Sequence, residues 1–412
     1  SFDELSVNLD RFNVLVGANA SGKSNFVQIF RFLRDIANHG LENAIALQGD
    51  VRYFRNVNLP LTRDFYLSTH AVFNYTNVST PIIRSVKRRV GMRPDSMDYS
   101  LKIRFKRKGS SFGVVEEVLS VDYSFMVLDI HGDGFDVKTE EKGKVTIFIK
   151  NGRTDFQVVL PENIPLKESD ILPAYWKRQK FPDHISLIEA FLNVPGSYFK
   201  KLFTDIHIYD FDPKAMRRTA LISSMKKLEE DGSNIALVLK DLLENKVKKH
   251  QFLSLIQDLL PFIQDLKIAK YPDKSLHFST QEKYTDQYLP GFLLSDGTVI
   301  LTALVYVLFF STPNIIGEIP LVILEEPAQH IHPSLISRML QLIEEASQSQ
   351  QILITTHNPE IVKHTPLDRL LLISRDERGF STIKRPVEKQ EVKTFLENEI
   401  GIEELFLQNL LE

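Results

Sequence analysis

The amino-acid sequence predicts an α/β fold with a mainly parallel sheet, into which an antiparallel β-rich lobe and a helical lobe are inserted. Three observations support this fold class. The chain opens with a strand, a glycine loop and a helix, and its last third alternates strands with helices, which is typical of a parallel sheet covered on both faces. The middle carries short β-rich segments and then apolar stripes at helical spacing.

Two elements open the chain. The apolar run Arg11–Val16 ends at Gly17 and predicts a strand, while apolar residues at helical spacing predict a helix over Lys23–Ala37. The pattern then changes to segments rich in strand-forming residues and broken by Gly, Asn and Pro. These segments predict strands at Phe65–Tyr75, Tyr99–Phe105, Val114–Asp129, Lys144–Ile149 and Thr154–Leu160. We expect them to form an antiparallel sheet inserted after the first helix.

Helices dominate from residue 184 onward, and strand–helix alternation returns in the last third. Apolar stripes predict helices at Ser186–Phe203, Ser233–Glu244 and Val247–Ile263. The last third predicts helix Thr298–Phe310, strand Leu321–Leu324, helix Ser334–Ala346, strand Gln351–Thr355, helix Pro359–Lys363 and strand Arg369–Ile373. Since such alternation builds parallel sheets, we expect the two ends of the chain to share one sheet. Residues 384–412 predict polar helices.

The length of 412 residues corresponds to two or three domains of about 150 residues each. We expect residues 1–62 to form the first part of the α/β domain and residues 293–412 to form its second part with the terminal helices. Residues 63–183 are expected to form the β-rich lobe and residues 184–292 the helical lobe.

Composition excludes several classes of protein. The formal net charge of −3 gives no bulk attraction to nucleic acid or acidic lipid, and the absence of cysteine excludes disulfides, thiolate metal sites and a cysteine nucleophile. The longest apolar stretch, Val299–Phe310, is shorter than the ~20 residues that span a bilayer, so we expect a cytoplasmic protein without a membrane partner. Because the chain begins at Ser1 without Met, we expect a few residues of a first strand to precede it.

A phosphate-binding loop is the strongest motif. The sequence Gly17-Ala-Asn-Ala-Ser-Gly-Lys-Ser24 fits the pattern G-x-x-x-x-G-K-[ST] and lies between the first predicted strand and helix. The backbone around Gly17, Asn19 and Gly22 can point N–H groups at phosphate oxygens, Lys23 can reach the β- and γ-phosphates, and the Ser24 hydroxyl can bind Mg²⁺. The pattern therefore predicts binding of ATP with Mg²⁺.

Two carboxylates follow a buried strand. The run Leu321–Pro327 is apolar until Glu325 and Glu326, and parallel strands deliver such residues to the edge of the sheet beside the phosphate loop. We expect Glu325 to hold Mg²⁺, directly or through water, and Glu326 to deprotonate the attacking water. A strand that simply ends in solvated glutamates is the alternative.

Two further segments point to the same edge. His357 follows the next predicted strand, where it can donate a hydrogen bond to a γ-phosphate; a structural histidine is the alternative. Ser295 and Gly297 open an apolar helix, whose exposed N–H groups suit an anion, although simple helix capping also explains them. Because a long stretch of chain separates Ser24 from Ser295, the two serines need not contact the same nucleotide.

In this order, the elements resemble those of ABC-type ATPases of the SMC/RecF kind, particularly the compact ATPases related to the overcoming-lysogenization-defect nucleases of bacterial anti-phage systems. The resemblance covers residues 2–54 and 232–374, and the segment Gly232-Ser-Asn-Ile-Ala236 is similar to a G-x-N-[IL]-A element of that group. It implies an ABC-type head of the P-loop NTPase fold. The implied elements are a Walker A loop at Gly17–Ser24, a signature at Ser295–Thr298, a Walker B pair at Glu325 and Glu326, and a switch histidine at His357. Glu325 stands where the family usually has aspartate.

The resemblance also implies partners. Two heads would sandwich two ATP molecules, with the signature of one chain facing the Walker A loop of the other, so that hydrolysis opens and closes a homodimer. It implies a role in DNA transactions or anti-phage defence with a separate effector nuclease, since no TOPRIM-type acidic pattern follows Ser374.

Double-stranded DNA is a further partner to test. Basic residues that could contact phosphates fall in three clusters, which are Arg84, Lys87, Arg88, Arg89 and Arg93; Lys102, Arg104, Lys106, Arg107 and Lys108; and Lys246, Lys248 and Lys249. Solvated strand and loop faces explain the same charges.

Three other functions remain open at this point. A nucleotide-sensing scaffold could bind ATP without hydrolysing it, and a transporter ATP-binding subunit would share the motifs but fits poorly with the β-rich insertion. His330, His332 and His357 also suggest a metallohydrolase, although an H-x-H pattern beside an ATPase strand has a simpler explanation as part of the family architecture.

Overall fold

A computed structural model describes residues 1–49, 51–56, 58–60, 62–73, 89–106, 111–131, 134–164, 166–172, 180–190, 198–223, 227–311, 320–386 and 406. The described residues form two compact units. One unit combines both ends of the chain, with residues 1–28, 206–313 and 319–412, and the other is formed mainly by residues 29–205. The expected division into four segments stays a prediction.

The first unit is built on a six-stranded sheet. Its strands are β1 (Phe12–Val16), β7 (Ile206–Tyr209), β12 (Leu321–Glu325), β13 (Gln351–Thr356), β14 (Leu370–Arg375) and β15 (Ser381–Lys384). They lie in the order β15-β14-β1-β13-β12-β7, and all neighbouring strands are parallel except β14 and β15, which are antiparallel. The mainly parallel sheet shared by both ends of the chain is therefore confirmed.

Helices and a second, smaller sheet complete this unit. The smaller sheet pairs β10 (Ser275–Glu282) with β8 (Ala220–Leu221), β9 (Ile263–Lys270) and β11 (Tyr288–Pro290), all antiparallel. Its helices are α7 (Pro213–Met216), α8 (Ile235–Glu244), α9 (Lys246–Leu259), α10 (Asp296–Phe309), α11 (Pro333–Ala346) and α12 (Pro359–Lys363). The helix α10 is apolar on all sides and lies in the core, since Val299, Leu301 and Leu304 are fully buried.

The second unit carries the β-rich insertion. Five antiparallel strands run in chain order as β2 (Phe65–Val72), β3 (Arg89–Phe105), β4 (Phe112–His131), β5 (Gly134–Lys150) and β6 (Arg153–Val159). The exposed and half-buried residues of β2 alternate, as expected for a strand with one solvated face. Its helices are α2 (Leu41–Leu47), α3 (Val51–Phe54), α4 (Glu168–Ile171), α5 (Leu187–Ala190) and α6 (Tyr198–Thr204), and α1 (Lys23–His39) begins in the first unit.

The structure corrects several predicted bounds. β3 and β5 begin about ten residues earlier than predicted, because the backbone pairing of the neighbouring long strand extends over polar residues that carry no apolar pattern. The predicted helix over Val247–Ile263 ends at Leu259, and β9 starts at Ile263. The strands β7 to β11 and β15 were not predicted, so residues 184–292 contain a sheet as well as helices. The terminal helices predicted for residues 384–412 lie almost entirely outside the described residues.

Within the described part of the chain, the structure contains no helix that is long and apolar enough to cross a membrane.

Candidate active site

The predicted phosphate-binding loop follows β1 at the carboxyl edge of the parallel sheet. The Gly17 N–H donates to the Thr356 carbonyl at 3.3 Å. A Cβ at Gly17 would lie 2.3 Å from the Ile373 carbonyl oxygen, so only glycine fits. Gly22 has a φ of 116°, in the left-handed region, and a Cβ there would lie 2.3 Å from the Ser381 hydroxyl. Both glycines are therefore required by close packing beneath the loop.

Lys23 is buried at the start of α1. Its Nζ donates to the carbonyls of Gly17 at 2.8 Å and Ala18 at 3.1 Å, and lies 3.8 Å from Glu326 Oε1. Burial lowers the pKa of the Lys23 ammonium, and the Glu326 carboxylate opposes this shift. The first turn of α1 has no acidic residue, so its positive end is not offset. This arrangement suits a polyanion such as a triphosphate.

Glu326 follows β12 in a strained conformation with a φ of 43°. Its N–H donates to the Thr355 carbonyl at 2.9 Å. Its Oε2 accepts hydrogen bonds from the Thr356 hydroxyl and the His357 N–H, both at 3.2 Å, and its Oε1 lies 2.7 Å from His357 Nδ1. Backbone strain of this kind costs about 1–3 kcal/mol and is typical of functional sites. The carboxylate is thus held in place at the end of β13, with its side chain 24% exposed.

The predicted metal ligands Ser24 and Glu325 lie on this edge. Ser24 is exposed at the second residue of α1, and Glu325 is the half-buried last residue of β12, paired in register with Thr355. A hydroxyl and a carboxylate are the hard oxygen donors that Mg²⁺ prefers, so this donor set fits the ion that accompanies ATP. Asn19 is exposed in the phosphate-binding loop. The roles of all three residues stay predictions.

The predicted signature residues lie at the N-terminus of α10. Ser295 is the N-cap, and its hydroxyl accepts the Thr298 N–H at 3.2 Å. A Cβ at Gly297 would lie 3.0 Å from the His330 carbonyl oxygen, so the turn packs closely against the segment after β12. In the described residues, no hydrogen bond or ion pair joins Ser295 or Gly297 to Lys23. The roles of these two residues in a nucleotide site stay predictions.

Two residues that support the phosphate-binding loop were missed in the sequence. Arg375 Nε donates to the Ala20 carbonyl at 2.8 Å, and the Ser381 hydroxyl donates to the Ser21 carbonyl at 2.7 Å. Ala20 has a φ of 64°, so the arginine holds an unfavourable backbone conformation. Both residues belong to the hairpin of β14 and β15. Because β15 is short and only partly apolar, no pattern in the sequence indicated this support.

In the β-rich unit, the members of the predicted basic clusters whose side chains the structure describes, which are Arg93, Lys102, Arg104 and Lys106, lie close to acidic side chains. Lys102 and Arg104 both pair with Asp64, at 3.6 and 2.8 Å. Arg93 lies 2.6 Å from Glu140. In the other unit, Lys249 lies 2.7 Å from Asp265. Residues 84–88, 107 and 108 lie outside the described residues. Charge pairing leaves a weaker field for a DNA backbone than the sequence alone indicated.

The histidines near β12 have separate contacts. His332 is the N-cap of α11 and accepts the Ser334 N–H at 3.3 Å, whereas His330 Nδ1 lies 3.5 Å from Asp296. Over the ranges described above, no group of three or more His, Asp and Glu side chains is arranged to hold a metal ion.

The glycine loop after β1, with Lys23, Glu326 and His357 at one edge of a mainly parallel sheet, has the arrangement of a P-loop nucleotide-binding protein. Residues 12–71 and 148–363 match the family described as "AAA domain, putative AbiEii toxin, Type IV TA system". The chain belongs to this family.

Individual proteins to which the chain is similar share a low sequence identity or only a short matched segment with it. An uncharacterized protein of Methanocaldococcus jannaschii is 33% identical over 91 residues, which are 21% of this chain and 24% of that protein. The chain therefore matches about a quarter of that relative's length. Among solved structures, an Smc head domain from Pyrococcus furiosus has 13% identity and a TM-score of 0.42, covering 97% of this chain and 96% of that one. The SMC head domain from Thermotoga maritima has 12% identity and a TM-score of 0.35, covering 93% and 94%.

Proposed function

We propose that this chain binds ATP with Mg²⁺ and hydrolyses it to ADP and phosphate as a homodimeric switch. One observation carries the proposal. The Lys23 ammonium, the Glu326 carboxylate and the His357 ring lie together at one edge of the sheet. Glu326 Oε1 is 3.8 Å from Lys23 Nζ and 2.7 Å from His357 Nδ1. A cation for phosphate, a base for water and a hydrogen-bond donor for a γ-phosphate are the groups that such hydrolysis requires.

The residues divide the chemistry between them. Lys23 and the N–H groups around Gly17, Asn19 and Gly22 bind the phosphates, and Ser24 and Glu325 would hold Mg²⁺. When bound, the ion neutralises charge on the β- and γ-phosphates. Glu326 takes a proton from the attacking water at one of its carboxylate oxygens. His357 orients that carboxylate through Nδ1, and its proposed second task is a hydrogen bond to the γ-phosphate.

The proposal includes a dimer. Ser295 and Gly297 lie at a helix N-terminus, and exposed N–H groups there suit a phosphate. The hydrogen bonds described for Ser295 stay within its own turn, and the family resemblance implies that the signature of one chain faces the Walker A loop of another, so we assign both residues to the nucleotide of a second copy. ATP held between the two copies would then close the dimer, and hydrolysis would open it.

We further propose a role in anti-phage defence or DNA transactions with a separate effector nuclease. The family description, which names a putative toxin of a type IV TA system, and the sequence resemblance to anti-phage ATPases support this role. Binding to double-stranded DNA is expected to weaken steeply with salt if the basic clusters contribute. The ion pairs of Lys102, Arg104 and Arg93 limit that contribution.

Substitution Glu326→Gln tests the proposed hydrolysis. The amide keeps the size of the side chain but cannot take a proton, so we expect turnover to fall by about a hundred- to a thousandfold. The variant should accumulate an ATP-bound dimer, detected by sedimentation velocity with and without ATP. Glu377→Gln, at an exposed glutamate after β14, is a matched control that should keep full turnover.

The same measurement separates hydrolysis from the scaffold alternative. A scaffold would show ATP-dependent association in the unmodified chain and negligible phosphate release, so Glu326→Gln would have no rate to lower. Absence of both association and phosphate release would contradict the proposed function.

A further inference from the structure

The N-terminus of α10 carries a negative charge that its proposed role does not favour. Asp296 is the first residue of the helix, between Ser295 and Gly297, and its side chain is 34% exposed. An acidic residue in the first turn stabilises the helix by itself. A phosphate that approaches the same turn, however, would be repelled by the carboxylate, and more strongly as water is excluded.

Arg217 offsets this charge and holds the turn. Its guanidinium Nη2 lies 2.6 Å from Asp296 Oδ1 and donates to the Leu294 carbonyl at 2.5 Å. His330 Nδ1 lies 3.5 Å from the other Asp296 oxygen. Arg217 therefore contacts the residue on each side of the N-cap Ser295, through the Leu294 carbonyl and the Asp296 carboxylate.

The segment Gly232–Ala236, to which the sequence analysis assigned no role, packs against α7, the helix that directly precedes Arg217. Arg217 directly follows α7, and Gly232, with a φ of 75°, packs on that helix: a Cβ at Gly232 would lie 2.8 Å from the Met216 side chain. The Asp212 N–H before α7 donates to the Asp231 carbonyl at 3.0 Å. A larger residue than glycine would clash with the Met216 side chain directly before Arg217.

Asn234 fixes the turn that contains Gly232. Its side-chain oxygen accepts the Glu229 N–H at 2.9 Å, and its amide donates to the Lys227 carbonyl at 2.9 Å. The glycine and the asparagine of this segment thus shape one turn, and the turn sets the position of α7.

We propose that Arg217 is a positioning residue of the signature turn: it neutralises Asp296 and holds the Leu294 carbonyl so that the N-terminus of α10 can accept the γ-phosphate of ATP bound to a second copy. This inference rests on the proposed function. In this proposal, the segment Gly232–Asn234 fixes the position of α7 and thereby of Arg217.

The test uses the full chain with Glu326→Gln as the parent, because this variant accumulates the ATP-bound dimer. Arg217→Ala, Arg217→Lys, Asp296→Asn and the double variant Arg217→Ala/Asp296→Asn are compared by sedimentation velocity with ATP. A fluorescent ATP analogue, added at protein concentrations below dimerisation, measures nucleotide affinity separately. Arg218→Ala is the matched control, since this neighbouring arginine is exposed and its side chain has no bond to the turn.

We expect Arg217→Ala to weaken ATP-dependent association by about ten- to a hundredfold. Arg217→Lys should be intermediate, because it keeps the charge but loses the two-sided geometry. Asp296→Asn should restore part of the association to Arg217→Ala, and should not weaken association by itself. Nucleotide affinity of the separate chains and the behaviour of Arg218→Ala should match the parent.

Three results would overturn the inference while leaving the proposed function intact. Arg217→Ala could associate like the parent, the double variant could recover nothing, or Asp296→Asn alone could weaken association as much as Arg217→Ala. If Arg217→Ala lowers the melting temperature, the association of Arg217→Lys and of Asp296→Asn with ATP is used to test the inference instead. A parent that binds ATP but never associates would instead overturn the proposed dimer, and this inference with it.

Discussion

The two units of this protein each contain a glutamate that accepts several hydrogen bonds. In the parallel-sheet unit, Glu326 accepts from Thr356 and His357 at an open edge. In the β-rich unit, Glu117 accepts from the Tyr99 hydroxyl at 2.7 Å, the Ser186 hydroxyl at 2.6 Å and the Leu187 N–H at 2.9 Å. Unlike Glu326, Glu117 is completely buried.

The two glutamates differ in their access to solvent and in the charge beside them. Burial raises the pKa of Glu117 to about 7, although its three donors oppose the shift. The same burial, with Glu117 beside it, raises the pKa of Tyr99 well above its usual value. Glu326 instead has the Lys23 ammonium 3.8 Å away and remains in contact with solvent. The number of hydrogen bonds therefore does not distinguish Glu117 from Glu326, whereas solvent access and a neighbouring cation do.

The largest effect is expected when the cation near Glu326 is removed. Lys23→Ala removes the charge that faces Glu326 and that we propose binds the phosphates, so we expect nucleotide affinity to fall by about a thousandfold. Binding of a fluorescent ATP analogue measures the loss. Lys214→Ala removes an exposed lysine of the same unit and should bind as the unmodified chain does. Equal affinity in both variants would contradict the assignment of the loop.

The second effect concerns Glu117. Because its pKa is raised in the folded state, the folded protein binds more protons, and its contribution to stability is full below about pH 4.5 and lost as pH rises to about 7. The loss amounts to at most about 3 kcal/mol in the free energy of unfolding. Urea unfolding at pH 5 and pH 8 measures it.

The variant Glu117→Gln sharpens the same point. An amide does not titrate, so the stability difference between pH 5 and pH 8 should largely disappear, while ATP turnover at pH 8 should be kept. The amide NH2 group then replaces one of the two oxygens that accept from the Tyr99 and Ser186 hydroxyls or from the Leu187 N–H, which costs some stability at every pH. A pH dependence identical to that of the unmodified chain would show that another group titrates.

A smaller effect is expected at His357. His357→Ala frees Glu326 Oε1 from its ring partner, so we expect the turnover number to fall about tenfold with little change in KM. Steady-state phosphate release measures both parameters. His250→Ala, at an exposed histidine of α9, serves as the control. A rise in KM at constant turnover would assign the histidine to binding instead.

The smallest effect is expected at Arg375. Arg375→Ala removes the donor to the Ala20 carbonyl and should raise KM for ATP by about threefold, because the remaining contacts still hold the loop. Arg378→Ala is the comparison, since Arg378 contacts Asp3 and Asp376 rather than the loop. If the two variants have the same KM, Arg375 does not support the loop in solution.

The ends of the chain could be predicted closely, and the middle less so. The predicted strand, glycine loop and helix at residues 11–37 and the helix Pro359–Lys363 agree with the structure to within two residues. In these segments, local propensity, apolar period and capping residues indicate the same element. The sheet of β8 to β11 was missed because the buried residues Ile263 and Leu266 of β9 do not alternate, and because β8 has only two residues and pairs with the distant β10.

The sequence by itself determined the class of the protein, because a phosphate-binding loop needs glycines, a lysine and a serine at fixed spacing between a strand and a helix. Only the tertiary structure decided which side chains hold that loop and the turn at Leu294–Asp296. Arg375, Ser381 and Arg217 contact them across long separations along the chain. Such contacts leave no local period in the sequence, since they depend on how strands are ordered in a sheet and on where separate turns pack together.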